Sequence, residues 1–153
     1  MLAAMTADAS YIDRNTHERE RLRALVGRLT DEELRRYVDE HWTVAAVLGH
    51  MAFWDARALW LAGKIEDDVP FTESDVEPED VSWINDAAHA LVDAIPPREA
   101  AALALRLAEE IDQCVAALPP TRLWPADPYS PLNAYRAEHR AEHLDQIEAA
   151  LRR

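Results

Sequence analysis

Residues 43–63 read TVAAVLGHMAFWDARALWLAG. Thr43 is a good N-cap for a helix over about Val44–Ala62, because its hydroxyl can accept from a free N–H of the first turn. Gly63 stands where a C′ glycine would close that helix. Between them, Val44, Val47, Leu48, Met51, Phe53, Trp54, Ala58, Leu59 and Trp60 leave little polar face. A helix apolar almost all round has to be enclosed by other elements, so this one is expected at the centre of the fold. His50 lies within it, with Val47 and Trp54 on either side along one face.

Working outward, the segments before and after also read as helices. Downstream, Lys64–Asp80 is acidic, holds Pro70 and Pro78, and predicts an exposed loop. A helix over about Glu79–Ile95 follows, with Val81, Ile84, Ala88, Leu91 and Val92 inward. Pro96-Pro97 ends it, and Pro97 suits the first turn of a helix running to Leu118. That helix has Leu103, Leu107, Ile111, Val115 and Leu118 as its stripe, with Cys114 beside it as a small buried hydrophobe. Pro119–Pro131 is a proline-rich structured loop leading to a last helix, about Leu132–Leu151.

Upstream, a helix over about Ala7–Leu29 carries Ile12, Leu22, Leu25, Val26 and Leu29 on its apolar side, and His17 among charged neighbours outside. Thr30-Asp31-Glu32-Glu33 spells a capping box that starts a short helix ending near Tyr37. The chain is therefore read as all-α: one domain over residues 1–153, a four-helix bundle with one or two additional short helices. Three glycines, and nine prolines that cluster outside the periodic segments, agree with that.

Charge narrows the function. With 16 Lys and Arg against 29 Asp and Glu, the formal charge is -13. Nucleic-acid binding depends on neutralising phosphates, and docking on anionic lipid needs basic side chains, so neither partner is expected. One cysteine, Cys114, allows no internal disulfide and suits a reducing cytoplasm. The N-terminal MLAAMTADASYIDR lacks the pattern of a signal peptide. No stretch of about 18 apolar residues predicts a membrane span.

The chemistry concentrates in residues 135–153, YRAEHRAEHLDQIEAALRR. His139 and His143 are four apart, which on a helix brings their Cβ atoms to about 5–6 Å. Both fall on the stripe of Leu132, Tyr135, Ile147 and Leu151, which is expected to face the core. Burying imidazoles there requires a partner. His50 is embedded in the other most buried helix, and bundles build metal sites from side chains on facing helices. Three protein ligands with an open position is the pattern of a catalytic zinc site. His139–His143 also spells the H-x-x-E-H string of inverted zinc metalloproteases. Those enzymes need a further acidic ligand well downstream, and helical phase puts Glu142 at the stripe's edge, so the string reads as incidental.

Two segments carry a family resemblance. His41-Trp42-Thr43-Val44-Ala45-Ala46-Val47-Leu48-Gly49-His50-Met51 resembles a W-S/T-x-x-x-V-L-x-H-L pattern, and His139-Arg140-Ala141-Glu142-His143-Leu144-Asp145-Gln146-Ile147 resembles H-x-x-x-H-x-x-Q-I. Together with Trp83-Ile84-Asn85 in the third-helix region, these resemble the DinB-like superfamily (DinB and YfiT-type metalloenzymes). That superfamily includes the metal-binding domain of mycothiol-dependent maleylpyruvate isomerase.

The resemblance implies a four-helix bundle with a metal triad on His50, His139 and His143, binding zinc, nickel or another divalent ion. It implies an enzyme that transfers a low-molecular-weight thiol of the mycothiol or bacillithiol type to a small electrophile, or isomerises one. Water activation at the same site, in a hydrolase or resistance role, is the alternative, and a non-catalytic metal- or ligand-binding bundle is the third. Maleylpyruvate isomerisation itself is not expected, since that isomerase carries an additional C-terminal domain. Arg136, three residues before His139, is a candidate for a substrate or cofactor carboxylate. Gln146, three after His143, is a candidate hydrogen-bond partner behind the ligand. Asp55 is a candidate near the site or, with Glu142, a base in the hydrolytic reading. A homodimer is implied by resemblance, with Trp60 and Trp83 as candidate surface aromatics.

Overall fold

A computed structural model describes residues 8–153. Its helices are α1 (Ser10–Arg28), α2 (Asp31–Leu34), α3 (Val44–Glu66), α4 (Ser82–Asp93), α5 (Pro97–Ala117) and α6 (Arg136–Leu151). Single 3₁₀ turns occur at Glu73–Asp75 and Pro120–Arg122, and no strand occurs among the described residues. The expected start at Ala7 and the reading of the first seven residues lie outside them.

The long helices pack as a ring. α1 lies against α5 and α6, and α3 lies against the same two, most extensively α5. The all-α bundle expected from the sequence is therefore the fold. α4 rests on the outside of α3. Gly49 permits the close approach there: a Cβ at that position would meet the Cβ of Val92 on α4 at 3.0 Å.

The interior has two apolar clusters. One joins Leu22, Leu25, Leu34, Leu48, Met51, Leu107, Leu144 and Ile147, and the other joins Tyr11, Leu61, Ile111, Val115, Leu123 and Leu132. Each fully buried large aliphatic contributes about 1.5–3 kcal/mol relative to an exposed one. Two predicted caps are present. Thr30 and Glu33 form the reciprocal capping box. The Thr43 hydroxyl accepts from Ala46 N–H at 3.0 Å and starts α3.

Several boundaries and faces differ from the sequence reading. Gly63 does not end α3. It keeps a negative φ, and the helix runs one turn further to Glu66, with Asp67 N–H donating to the Gly63 carbonyl at 3.0 Å. α6 begins at Arg136 rather than Leu132, because Leu132 pairs with the proline-rich loop instead: Trp124 N–H donates to its carbonyl. α2 stops at Leu34, well short of Tyr37, which forms an isolated bridge with Thr43. Ile12 is exposed, and Tyr11 and Asn15 are buried in its place. Leu91 is exposed too, since α4 touches the bundle on one side only and Val92 faces it. On α3, Phe53 and Trp60 reach solvent where the ring of helices leaves an outer edge.

Candidate metal centre

His50 comes from α3, and His139 and His143 come from α6, across the edge where the two helices meet. Their Nε2 atoms form a small triangle. His50 to His143 is 3.1 Å, His50 to His139 is 3.2 Å and His139 to His143 is 3.0 Å. Four-coordinate zinc with Zn–N bonds of about 2.0–2.1 Å places neighbouring donors roughly 3.3 Å apart, so the triangle is close to the size of one coordination face. The ring planes are steeply inclined to one another, at 57° to 89°.

The three side chains are half-buried, not on the core face as the sequence stripe implied. Residues taken every fourth position drift around a 3.6-residue helix. The buried line of α6 is Ala137, Arg140, Leu144, Ile147 and Ala150. The histidines stand on its flank, where they meet α3 and two open clefts.

Protonation suits ligation. Burial, with the neighbouring His143, lowers the pKa of His50 from 6.5 to about 4. Burial first, then the surrounding histidines and arginines, lowers that of His139 to about 2. Both imidazoles are neutral at pH 7. His143 Nδ1–H donates to Gln146 Oε1 at 2.9 Å, which leaves its Nε2 with a lone pair. Three Nε2 atoms at mutual contact cannot all satisfy one another in a triangle by hydrogen bonding, whereas one cation can accept a lone pair from each. These three histidines form the only group of metal-capable side chains found among the described residues.

Asp55 does not reach the histidines. It is buried, and its Oδ1 accepts from Arg136 Nε at 3.0 Å while its Oδ2 lies 3.4 Å from Arg140 Nη2. Arg136 is therefore engaged at the side of the site rather than free. Behind it, Arg140 is only 1% exposed and grips Asp112 of α5 with two parallel bonds of 2.9 and 2.8 Å. Arg19 of α1 adds a third guanidinium contact, 2.6 Å from Asp112 Oδ2. This chain of charges ties all four bundle helices together under the histidines. Sequence reading missed Arg140 and Asp112. Their partners are remote in the chain, and an arginine between two glutamates reads as surface.

Two clefts open onto the triad, sharing His50, Asn85 and His143 in their walls. The smaller, about 280 Å³, runs between α4 and the start of α3 past Val38, Trp42 and Val47. The larger, about 500 Å³, exposes all three histidines beside Trp54, Arg136, Glu138 and Glu142. Trp54 Nε1–H donates to Asn85 Oδ1 at 3.0 Å and pins α4 to the cleft wall. Trp42 stacks edge-on between His50 and His89, and His89 donates to the His41 carbonyl at 3.1 Å.

Fold and site together define a helical bundle whose three converging histidines can hold a metal ion. The DinB superfamily model matches residues 14–147, which spans both histidine segments and every helix except parts of the first and last. The chain belongs to the DinB superfamily. No curated protein and no solved structure gives a significant match.

Proposed function

We propose that the protein is a divalent-metal-dependent enzyme that transfers or uses a low-molecular-weight thiol in reacting a small electrophile, with His50, His139 and His143 as ligands of zinc or nickel. The observation that supports this is the convergence of three Nε2 atoms to 3.0–3.2 Å beside open clefts. A divalent ion held there supplies one thing: it lowers the pKa of a thiol, so that thiolate is available at neutral pH.

The chain's own residues do the rest. Gln146 fixes the His143 tautomer by accepting from Nδ1. The Asp55–Arg136 pair holds the wall beside His139. The two clefts admit thiol and electrophile from different sides of the triad. A thiol bound there would release its proton to solvent, its sulfur would form the new bond to carbon, and the electron pair displaced from that carbon would pass to the electrophile's own acceptor atom, which takes up a proton from water. No general base is required, and Asp55, with both oxygens taken by arginines, does not offer one.

One observation favours a second reading. Glu142 is exposed in the wall of the larger cleft with all three histidines, where it could act as the base of a hydrolase.

Metal titration of the purified chain with elemental analysis is the deciding experiment. One equivalent of zinc, nickel or cobalt is expected per chain, and no uptake overturns both readings. A glutathione-like thiol should then alter the absorption of the cobalt-loaded protein. An unchanged spectrum accompanied by turnover of simple esters would replace thiol transfer by hydrolysis.

A further inference from the structure

Asn85, in the first turn of α4, stands in the walls of both clefts, and its side-chain amide has a fixed orientation. An indole nitrogen only donates, so the atom that faces Trp54 Nε1 at 3.0 Å is the amide oxygen. The other end of the amide is therefore Nδ2, with two N–H donors. Among the described residues no protein acceptor bonds it, yet it is not a sealed-off polar atom, so it opens onto the cleft space. Gln146 repeats the pattern from α6. Its Oε1 is taken by His143 Nδ1–H at 2.9 Å, so it too offers N–H donors, and it lines the smaller cleft alone. Two amides with occupied oxygens thus face one cleft beside His50 and His143. Val38, Trp42 and Val47 supply the apolar side of that cleft. Its carboxylates, Asp39 and Asp86, are exposed, whereas Asn85 is half-buried. One oxygen of Asp39 is already taken by the N–H groups of His41 and Trp42.

We propose that Asn85 selects and orients the electrophile, which is a small carbonyl compound bound in the smaller cleft with its oxygen accepting from Asn85 Nδ2–H. Trp54, which holds Oδ1, lines the larger cleft only, and the two ends of an amide diverge from Cγ, so Nδ2 turns toward the smaller one. The apolar part of the molecule lies against Val38 and Val47. This rests on the metal-centre reading above and adds the chemical class of the electrophile. A site built to bond a substrate oxygen discriminates strongly against an analogue that lacks it, because the protein's donor is then left unpaired. An ammonium group in the same place would meet donors rather than acceptors. The bond also serves the reaction. As sulfur bonds to the carbonyl carbon, the C=O π pair moves onto the oxygen, which takes up a proton from water, and the amide N–H stabilises the charge that gathers there in between.

The test uses the full chain loaded with cobalt(II), with acetophenone and 1-phenylethylamine as probes. They share one skeleton, and at neutral pH the first offers an oxygen acceptor and the second an ammonium donor. Paramagnetic broadening of their ring protons reports binding close to the metal. The wild type should bind acetophenone the more tightly. Asn85→Asp keeps the oxygen that accepts from Trp54 and puts a second oxygen in place of the donor. It should weaken acetophenone by about tenfold and reverse the order of the two probes. Asn85→Leu, which brings no charge near the metal, should weaken acetophenone by a similar factor without that reversal. In the zinc-loaded wild type, nuclear Overhauser contacts from the acetophenone methyl should reach Val38 and Val47, and contacts to Tyr135 instead would overturn the placement. Acetophenone that fails to bind near cobalt, or keeps its affinity within about twofold in either variant, overturns the proposal. In particular, loss in N85L with retention in N85D would trace the effect to the Trp54 bond and not to the donor. A chain that takes up no cobalt overturns the metal-centre reading and this proposal with it. Cobalt uptake with acetophenone indifferent to Asn85 overturns this proposal alone.

Discussion

Arg140 on α6 and Asp112 on α5 face each other in the middle of the bundle, with Nη1 2.9 Å from Oδ2 and Nη2 2.8 Å from Oδ1. Arg140 is 1% exposed, and its charge also answers Asp55. Removing one partner of such a pair leaves the other charge buried and uncompensated. Arg140→Ala is expected to cost about 3–5 kcal/mol, read from urea denaturation. Arg140→Lys should not restore stability, since an ammonium cannot make the two parallel bonds. Replacing Arg140 and Asp112 together by Met and Leu should recover a large part of the loss. A single-alanine cost below about 1 kcal/mol would show that this network does not hold the helices together.

The three histidines are expected to act as a unit. Replacing His139 by Ala should abolish stoichiometric metal uptake, as should the same change at His50 or His143, because two imidazoles make only a partial site. Gln146→Ala should weaken metal affinity by about 10- to 100-fold without abolishing it, through loss of the bond that orients His143. His17→Ala is the control: His17 is exposed on α1, so its loss should leave uptake intact. Competition with a chromophoric chelator measures all five variants. Retained affinity in the His139 variant would remove that residue from the site.

Much of this site was legible because its grammar is local. Thr30-x-x-Glu33 and Thr43 before an apolar run specify helix starts through hydrogen bonds three residues long, and both are present. His139 and His143 are one helical turn apart, and His50 was conspicuous as a lone imidazole in the most apolar helix. The charged network was not legible, because its specification is non-local. Asp112 and Asp55 lie 28 and 85 positions before Arg140. Asn15 was equally hidden. It is buried on α1 because it accepts from Ala137 N–H at 2.9 Å and donates to the Ala134 carbonyl at 2.8 Å, which docks the start of α6. Gly63 misled for another reason. Glycine permits a left-handed residue but does not compel one, and Ile65, buried in the second cluster, draws the helix onward.

The metal-free chain should lose stability as pH falls through the histidine range. The folded pKa of His50 is lowered to about 4 and that of His139 lies lower still. In the unfolded chain both take up protons near about pH 6.5. Between those values the unfolded state binds more protons than the folded one, so stability rises with pH. The contribution is fully present above about pH 6.5 and is lost progressively toward about pH 4. Melting temperatures of metal-free wild type and H50Q/H139Q at pH 7.5 and pH 5.0 test this. The wild type should fall more steeply than the double variant. Parallel falls would assign the acid sensitivity to other groups.

The start of α3 offers a sharper test of local specification, since His50 lies two turns from its cap. Thr43 accepts from Ala46 N–H through its hydroxyl, while its carbonyl accepts from Val47 N–H at 2.9 Å. Only the first bond depends on the side chain. Thr43→Ala should therefore cost about 1 kcal/mol, and Thr43→Ser should cost much less, because serine keeps the accepting oxygen. The remaining turns of α3 are clamped against α5 by buried Leu48, Met51 and Ala52, so the loss should stay at the first turn. Metal affinity in Thr43→Ala should accordingly change by less than about threefold, even as the unfolding midpoint falls. A large drop in affinity would mean that the cap positions His50, and that the packing of α3 on α5 does not by itself hold the histidine in place.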